Sequence, residues 1–350
     1  MDWQSIKERL WQWRENGLEA VGDGVVPRTV VVVVVVYLVV AIFAGIYWSI
    51  SPEQFAVKEN AAVLAESNNQ AVVIGSVTTA SLIRVTSILL DKTGGFLSND
   101  IMPPGVWLDN IPSWEYGVLI QSRDITRALR ESFSRSQSQS REDEDLAKAE
   151  PSLNFSSDSW AVPATESEYR STIKYLGRYL QGLGDQGKTR SQFYARADNL
   201  SYWLAIVETR LGSLSQRLSA SVGKRRLNTD LAGDPAAQQS TYAPSELEVK
   251  TPWMEIDDVF YESRGAAWAL LHFMQAVEVD FAEVLKKKNA LVSLQQIIRE
   301  LESTQQSVYS PMILNGSGFG LVANHSLVMA SYISRAHAGI IDLRDLLSQG

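Results

Sequence analysis

Positions 30–50 read VVVVVVVYLVVAIFAGIYWSI, twenty-one residues without a charge that open on seven consecutive valines. Valine is β-branched, and in water such a run favours extended structure or aggregation. A lipid bilayer overrules that preference, because it offers no water to the peptide groups and a lone crossing must bond its own backbone as a helix. At about 1.5 Å per residue the run is roughly 31 Å long, close to the roughly 30 Å hydrocarbon layer. A soluble core helix would carry a polar face, and a strand of this length would be exceptional. Arg28 marks one end, while Tyr47 and Trp48 at the other are suited to the headgroup layer. The run is therefore expected to be a transmembrane helix.

Its orientation follows from the flanking cations. Lys7, Arg9, Arg14 and Arg28 precede it, whereas the twenty residues after it offer only Lys58. The amino terminus is expected to stay cytoplasmic, with residues 51–350 exported. Ile42 and Phe43 stand just before Ala44, which makes a poor cleavage site, so an uncleaved anchor is expected. The stub 1–29 places Trp3, Ile6, Leu10, Trp13 and Leu18 along one helical side, as an interfacial helix on the inner leaflet would.

The exported part reads as an elongated, all-α helical bundle. Residues 53–91 suggest one helix whose second half, AVVIGSVTTASLIRVTSILL, resembles another crossing; Arg84 and six hydroxyl residues argue for bundle packing instead. Helix resumes over 117–135. Linkers are expected near 94–115, 135–164 and 225–251, where glycine, proline, serine and charge accumulate. Thr165 and Glu168 suggest a capping box opening a helix whose stripe is Tyr169, Ile173, Leu176, Leu180 and Leu183. A second stripe, Phe193, Ala197, Leu200, Leu204, Val207, Leu211, Leu214 and Leu218, keeps the same alternation of four and three. The glycine-containing turn between them suggests an antiparallel hairpin. Thr251 and Pro252 look like the cap and first turn of a further helix, with Trp253, Ile256, Phe260, Trp268, Leu271, Met274 and Phe281 on its buried face. A break at NGSGF, 315–319, precedes a last helix from about Leu321 to Leu347.

Chemistry is harder to find. The net charge of −8 and absence of a basic stripe argue against nucleic acid as a partner, with KRR at 224–226 and KKK at 286–288 read as solvated helix ends. Zero cysteines exclude disulfides, zinc–thiolate sites and thiol nucleophiles. Asp143 and Asp145 lack the glycine and distal glutamate of a calcium loop. His272, His325 and His337 form no metal-binding pair, and Gly316, Gly318 and Gly320 follow no strand. Ser171-x-x-Lys174, Ser152-x-Asn154 and Lys92-Thr93-Gly94 match the three motifs of penicillin-binding proteins, but in the reverse chain order and with the last ending a helix. No catalytic, cofactor-binding or metal residue is assigned.

The runs FSRSQSQSREDEDLAKAEP, FYARADNLSYWL, RLGSLSQRLSASVG and SYISRAHAGIIDLRDLL resemble a proteobacterial family of membrane-anchored proteins known only as a domain of unknown function, number 2333. The resemblance implies a Gram-negative inner-membrane protein with a helical periplasmic part, and carries no activity with it. The expected role is non-enzymatic: a scaffold or interaction module of the cell envelope, meeting a protein partner or a second copy through its helical stripes. Two alternatives stand beside it. One is a ligand sensor with a pocket of Trp253, Tyr261 and Trp268, and the other a hydrolase using Ser171 and Lys174.

Overall fold

The computed structural model describes residues 25–136, 142–185, 191–227, 246–310, 312–317 and 320–349. Of the described residues, 69% are helical. The valine run lies within helix α1, Val25–Trp48, which ends two residues short of the expected limit. From Val30 to Val40 every side chain is exposed, as befits a helix with no polar face. Of the stub 1–29, residues 1–24 with the expected interfacial helix lie outside the described residues, and 25–29 form the first turns of α1.

The helix expected over 53–91 is two helices, α2 (Val57–Ser67) and α3 (Ser76–Asp91), separated where Asn69 and Gly75 take positive φ. As its small and hydroxylated residues suggest, α3 is packed inside the bundle with only its Arg84 side exposed. Helix α4 (Asn110–Ala128) begins earlier than expected and closes in a π turn, Leu129–Phe133. The polar stretch 135–164 contains α5, Leu146–Leu153. Then come α6 (Thr165–Gly184) and α7 (Ala197–Ser219). The expected linker after α7 holds a two-stranded antiparallel ribbon, β1 (Lys224–Leu227) with β2 (Glu246–Val249). KRR thus sits on a strand rather than a helix end, whereas Lys286 and Lys287 do end a helix. The remaining helices are α8 (Ile256–Asp280), α9 (Ala282–Lys287), α10 (Leu291–Ser303) and α11 (His325–Ser348).

Two expected caps are not formed. Thr165 is already helical and buried, and its hydroxyl donates to the carbonyls of Ser156 and Ser159. Thr251 precedes a 3₁₀ turn, Trp253–Glu255, and its N–H is taken by the Ala220 carbonyl, so α8 starts only at Ile256.

Helix α8 is the axis of the core. Its stretch Gly265–Met274 is buried on every side, which is why the sequence GAAWALLHFM has no polar face. Parallel to it runs α4: Ser113 bonds Asp258 near their starts, and Phe133 packs on Phe281 at their ends. Two glycines set the separation. A Cβ on Gly117 would stand 2.0 Å from the Glu262 carbonyl, and one on Gly265 would stand 2.1 Å from the Trp114 carbonyl. Helices α3 and α7 run the opposite way. Asp280 accepts from the N–H groups of Gly75 (2.9 Å) and Thr78 (2.7 Å) at the start of α3, and Arg210 of α7 grips Asp124 at 2.8 and 3.1 Å.

The stripes of α6 and α7 are real but do not face each other. Leu200, Leu204, Val207, Leu211 and Leu218 of α7 are buried mainly against α11 and α4, while Tyr169, Leu176 and Leu180 of α6 are buried against α5 and α3. The expected antiparallel hairpin is therefore absent.

Candidate functional site

The connectivity gathers the starts of α4, α8 and α11 and the ends of α3, α7 and α10 at one end of the bundle. There α1 meets it. The Trp48 ring lies against Gly94, where a Cβ would come within 2.7 Å of it, and Gly94 has φ +87°, a conformation suited to glycine. This near end carries exposed apolar side chains, among them Trp253, Met254, Tyr309, Leu321 and Val328.

Beside them is an open groove of about 330 Å³ between the start of α8, the turn after α10 and the start of α11. Phe260, Val308, Met329 and Tyr332 supply apolar walls. Arg264 lines it with donors: its guanidinium bonds the carbonyls of Gln305 (3.0 Å) and Gln306 (2.8 Å), closing the end of α10 as a cation suits a helix carboxyl terminus. Burial draws the Arg264 guanidinium below its ordinary value. The fourth side is fixed by α11. Asn324 caps that helix by accepting from the Leu327 N–H at 2.8 Å, and His325 accepts from the Leu314 N–H at 3.1 Å through Nδ1, which places its proton on Nε2. Such a surface suits an apolar segment carrying a few acceptors.

The residues singled out from the sequence are dispersed. Ser171 donates to the Ser167 carbonyl of its own helix at 3.0 Å, and Lys174 is exposed. Lys92 is consumed by a buried ion pair with Glu115, which also accepts from the N–H groups of Leu97 and Ser98 at 2.8 Å. Burial, opposed by Lys92, pushes the Glu115 carboxyl up. Asn154 ends α5 and bonds the Glu150 carbonyl. Asp143 accepts from the N–H groups of Asp145 and Leu146 and from the Ser191 hydroxyl, so its oxygens are engaged in opening α5. Among the described residues, Trp253, Tyr261 and Trp268 do not come together in one pocket. Trp268 is in the core against Trp114, whereas Trp253 is exposed, not buried as expected.

The histidines have separate surroundings. His272 is fully buried and stacked on Phe55 at 4.1 Å; Nε2 accepts the Phe55 N–H at 3.1 Å and Nδ1 lies 2.7 Å from the Trp268 carbonyl. His325 is in the groove, and His337 lies against Gly212 on the α7–α11 contact. Gly316 makes a close backbone approach to Val322, and Gly318 lies outside the described residues. Among the described residues no three His, Asp or Glu side chains are placed to hold a metal ion. The groove itself escaped the sequence reading because its walls come from three stretches of chain. The available signal was weak: Val308 and Tyr309 follow a polar turn, and Val328 lies off the buried stripe of α11.

These features define an all-α bundle with one long apolar helix at its amino-terminal side. The chain belongs to a bacterial family described as "Uncharacterized protein conserved in bacteria (DUF2333)", which it matches over residues 23–350. No curated protein and no solved structure matches it.

Proposed function

We propose that this is a single-pass inner-membrane protein whose helical bundle, on the periplasmic side, is a non-enzymatic interaction module, with the near-end groove as its docking site. The carrying observation is the groove's position: an apolar, open surface at the end of the bundle where α1 joins it. The exposed face of α1 and its length support a crossing. Retention of α1 is favoured because its final turns belong to the bundle's packing, Gly45 lying against Pro104 and Leu108, and Trp48 against Gly94. The basic residues before the span favour the stated orientation. The α6 and α7 stripes are spent inside the chain, which directs any partner to the near end.

A benzophenone amino acid placed at Val328 of the full chain, in intact membranes, tests the reading against the same probe at Val63. Both sites are exposed. A discrete protein adduct at Val328 that disappears with Met329→Asp is expected. Lack of any adduct at native expression would remove the interaction module. A small-molecule sensor is the second reading, favoured by a groove volume at the lower end of the range for ligand sites. It predicts thermal stabilisation by low-molecular-weight cell extract without an adduct.

A further inference from the structure

We infer that the segment Ile101–Leu108 enters the lipid layer beside α1, as an apolar wedge in contact with acyl chains. This rests on the reading that α1 crosses the bilayer, and adds a second membrane contact to it.

The segment IMPPGVWL carries no charge between Asp100 and Asp109. Ile101, Met102, Val106 and Trp107 are 57, 65, 53 and 51% exposed, a continuous apolar surface that the bundle does not cover. The same segment lies along α1. Pro104 and Leu108 approach Gly45 at the distances an added Cβ would find, 3.5 and 3.6 Å, and Ala41 one turn away is buried. Small residues at 41 and 45 permit this close approach, as between helices in lipid. Farther along, the Tyr37 hydroxyl donates to the Pro103 carbonyl at 2.9 Å. Tyr37 precedes Trp48 by eleven residues, or roughly 16 Å of helix, so the prolines lie at hydrocarbon depth when Trp48 is at the interface.

Irregular backbone is tolerated there only when its polar groups are satisfied within the protein. The wedge meets much of that demand. Pro103 and Pro104 have no N–H to satisfy. The Met102, Pro104 and Gly105 carbonyls accept from the N–H groups of Val106 (3.2 Å), Trp107 (2.9 Å) and Leu108 (3.0 Å). Tyr37 takes the remaining carbonyl of the turn, that of Pro103. The bond also accounts for a phenol in the middle of an apolar helix, where its hydroxyl would otherwise face hydrocarbon.

The chain has no cysteine, so single labels are unambiguous. Full-length Ile42→Cys (α1), Val106→Cys, Met102→Cys (wedge) and Val63→Cys (α2) variants, all at exposed positions, are labelled with an environment-sensitive fluorophore. They are reconstituted in phosphatidylcholine–phosphatidylglycerol vesicles, with circular dichroism confirming native helicity. Labels at 42, 102 and 106 are expected to be quenched several-fold more by acyl-chain nitroxide lipids than the label at 63, and to be shielded from iodide. Lipid quenching at 42 with aqueous behaviour at both 102 and 106 overturns the wedge and leaves the crossing intact. Aqueous behaviour at 42 overturns the crossing and the wedge together.

Discussion

Protonating His272 should loosen the attachment between the bundle and the irregular segment that leads out of α1. Its ring is stacked on Phe55 and accepts the Phe55 N–H through Nε2, while Nδ1–H donates to the Trp268 carbonyl. A second proton would turn the Nε2 acceptor into a donor facing a donor, inside a fully buried site. Burial accordingly draws the imidazole down from 6.5 to about 4. Because the folded value lies below the unfolded one, the stabilising contribution is complete above pH 6.5 and is lost as pH falls toward 4. At about 1.4 kcal/mol per pH unit, that interval corresponds to about 3 kcal/mol. The Glu115 and Asp280 carboxyls, both pushed up by burial, oppose the trend, so the difference from a non-titrating variant is the quantity to measure. His272→Gln keeps an acceptor for Phe55 and removes the titration. Urea unfolding of the full chain in mild detergent, followed by circular dichroism from pH 7 to pH 4, should show the wild type losing about 3 kcal/mol relative to His272→Gln. Parallel curves for the two proteins would refute the buried neutral imidazole.

Two further substitutions probe the core. Lys92→Met strands the Glu115 carboxylate in the interior and should cost about 3–5 kcal/mol at pH 7; the loss shrinks as pH falls and the carboxyl, already pushed up by burial, protonates, and Lys92→Met with Glu115→Gln recovers most of it in a double-mutant cycle. Gly265→Ala forces α8 away from the Trp114 carbonyl and should lower stability by about 1–3 kcal/mol, although alanine is the better helix former by about 1 kcal/mol; thermal unfolding with a net gain would show that the α4–α8 spacing is not set by these glycines.

Much of this architecture was legible because it depends on local periodicity. The valine run could only be an apolar helix, and Arg84 separated α3 from a second crossing by placing one charge on an otherwise buried helix. The α7 stripe predicted which residues are buried. Periodicity fixes a face and says nothing about what covers it, so the α6–α7 hairpin was a reasonable expectation that the packing of α11 on α7 displaced. The caps at Thr165 and Thr251 failed for a related reason: each belongs to a tertiary bond, to Ser156 and Ser159 in one case and to Ala220 in the other, which no local pattern encodes. The ribbon was hidden in a polar linker because its two four-residue strands pair across a long intervening segment. The groove was hidden for the same reason, and IMPPGVW reads locally only as a break, because its bond to Tyr37 spans 66 residues of sequence.

The central claim is that α1 crosses the bilayer and remains part of the protein. Intact mass and carbonate extraction of the protein from its own membranes test it directly. The expected result is a chain that still carries residues 30–48 and stays with the membrane until detergent is added. A chain beginning beyond Trp48, released by washing alone, would show that the apolar helix is a removed leader and not an anchor.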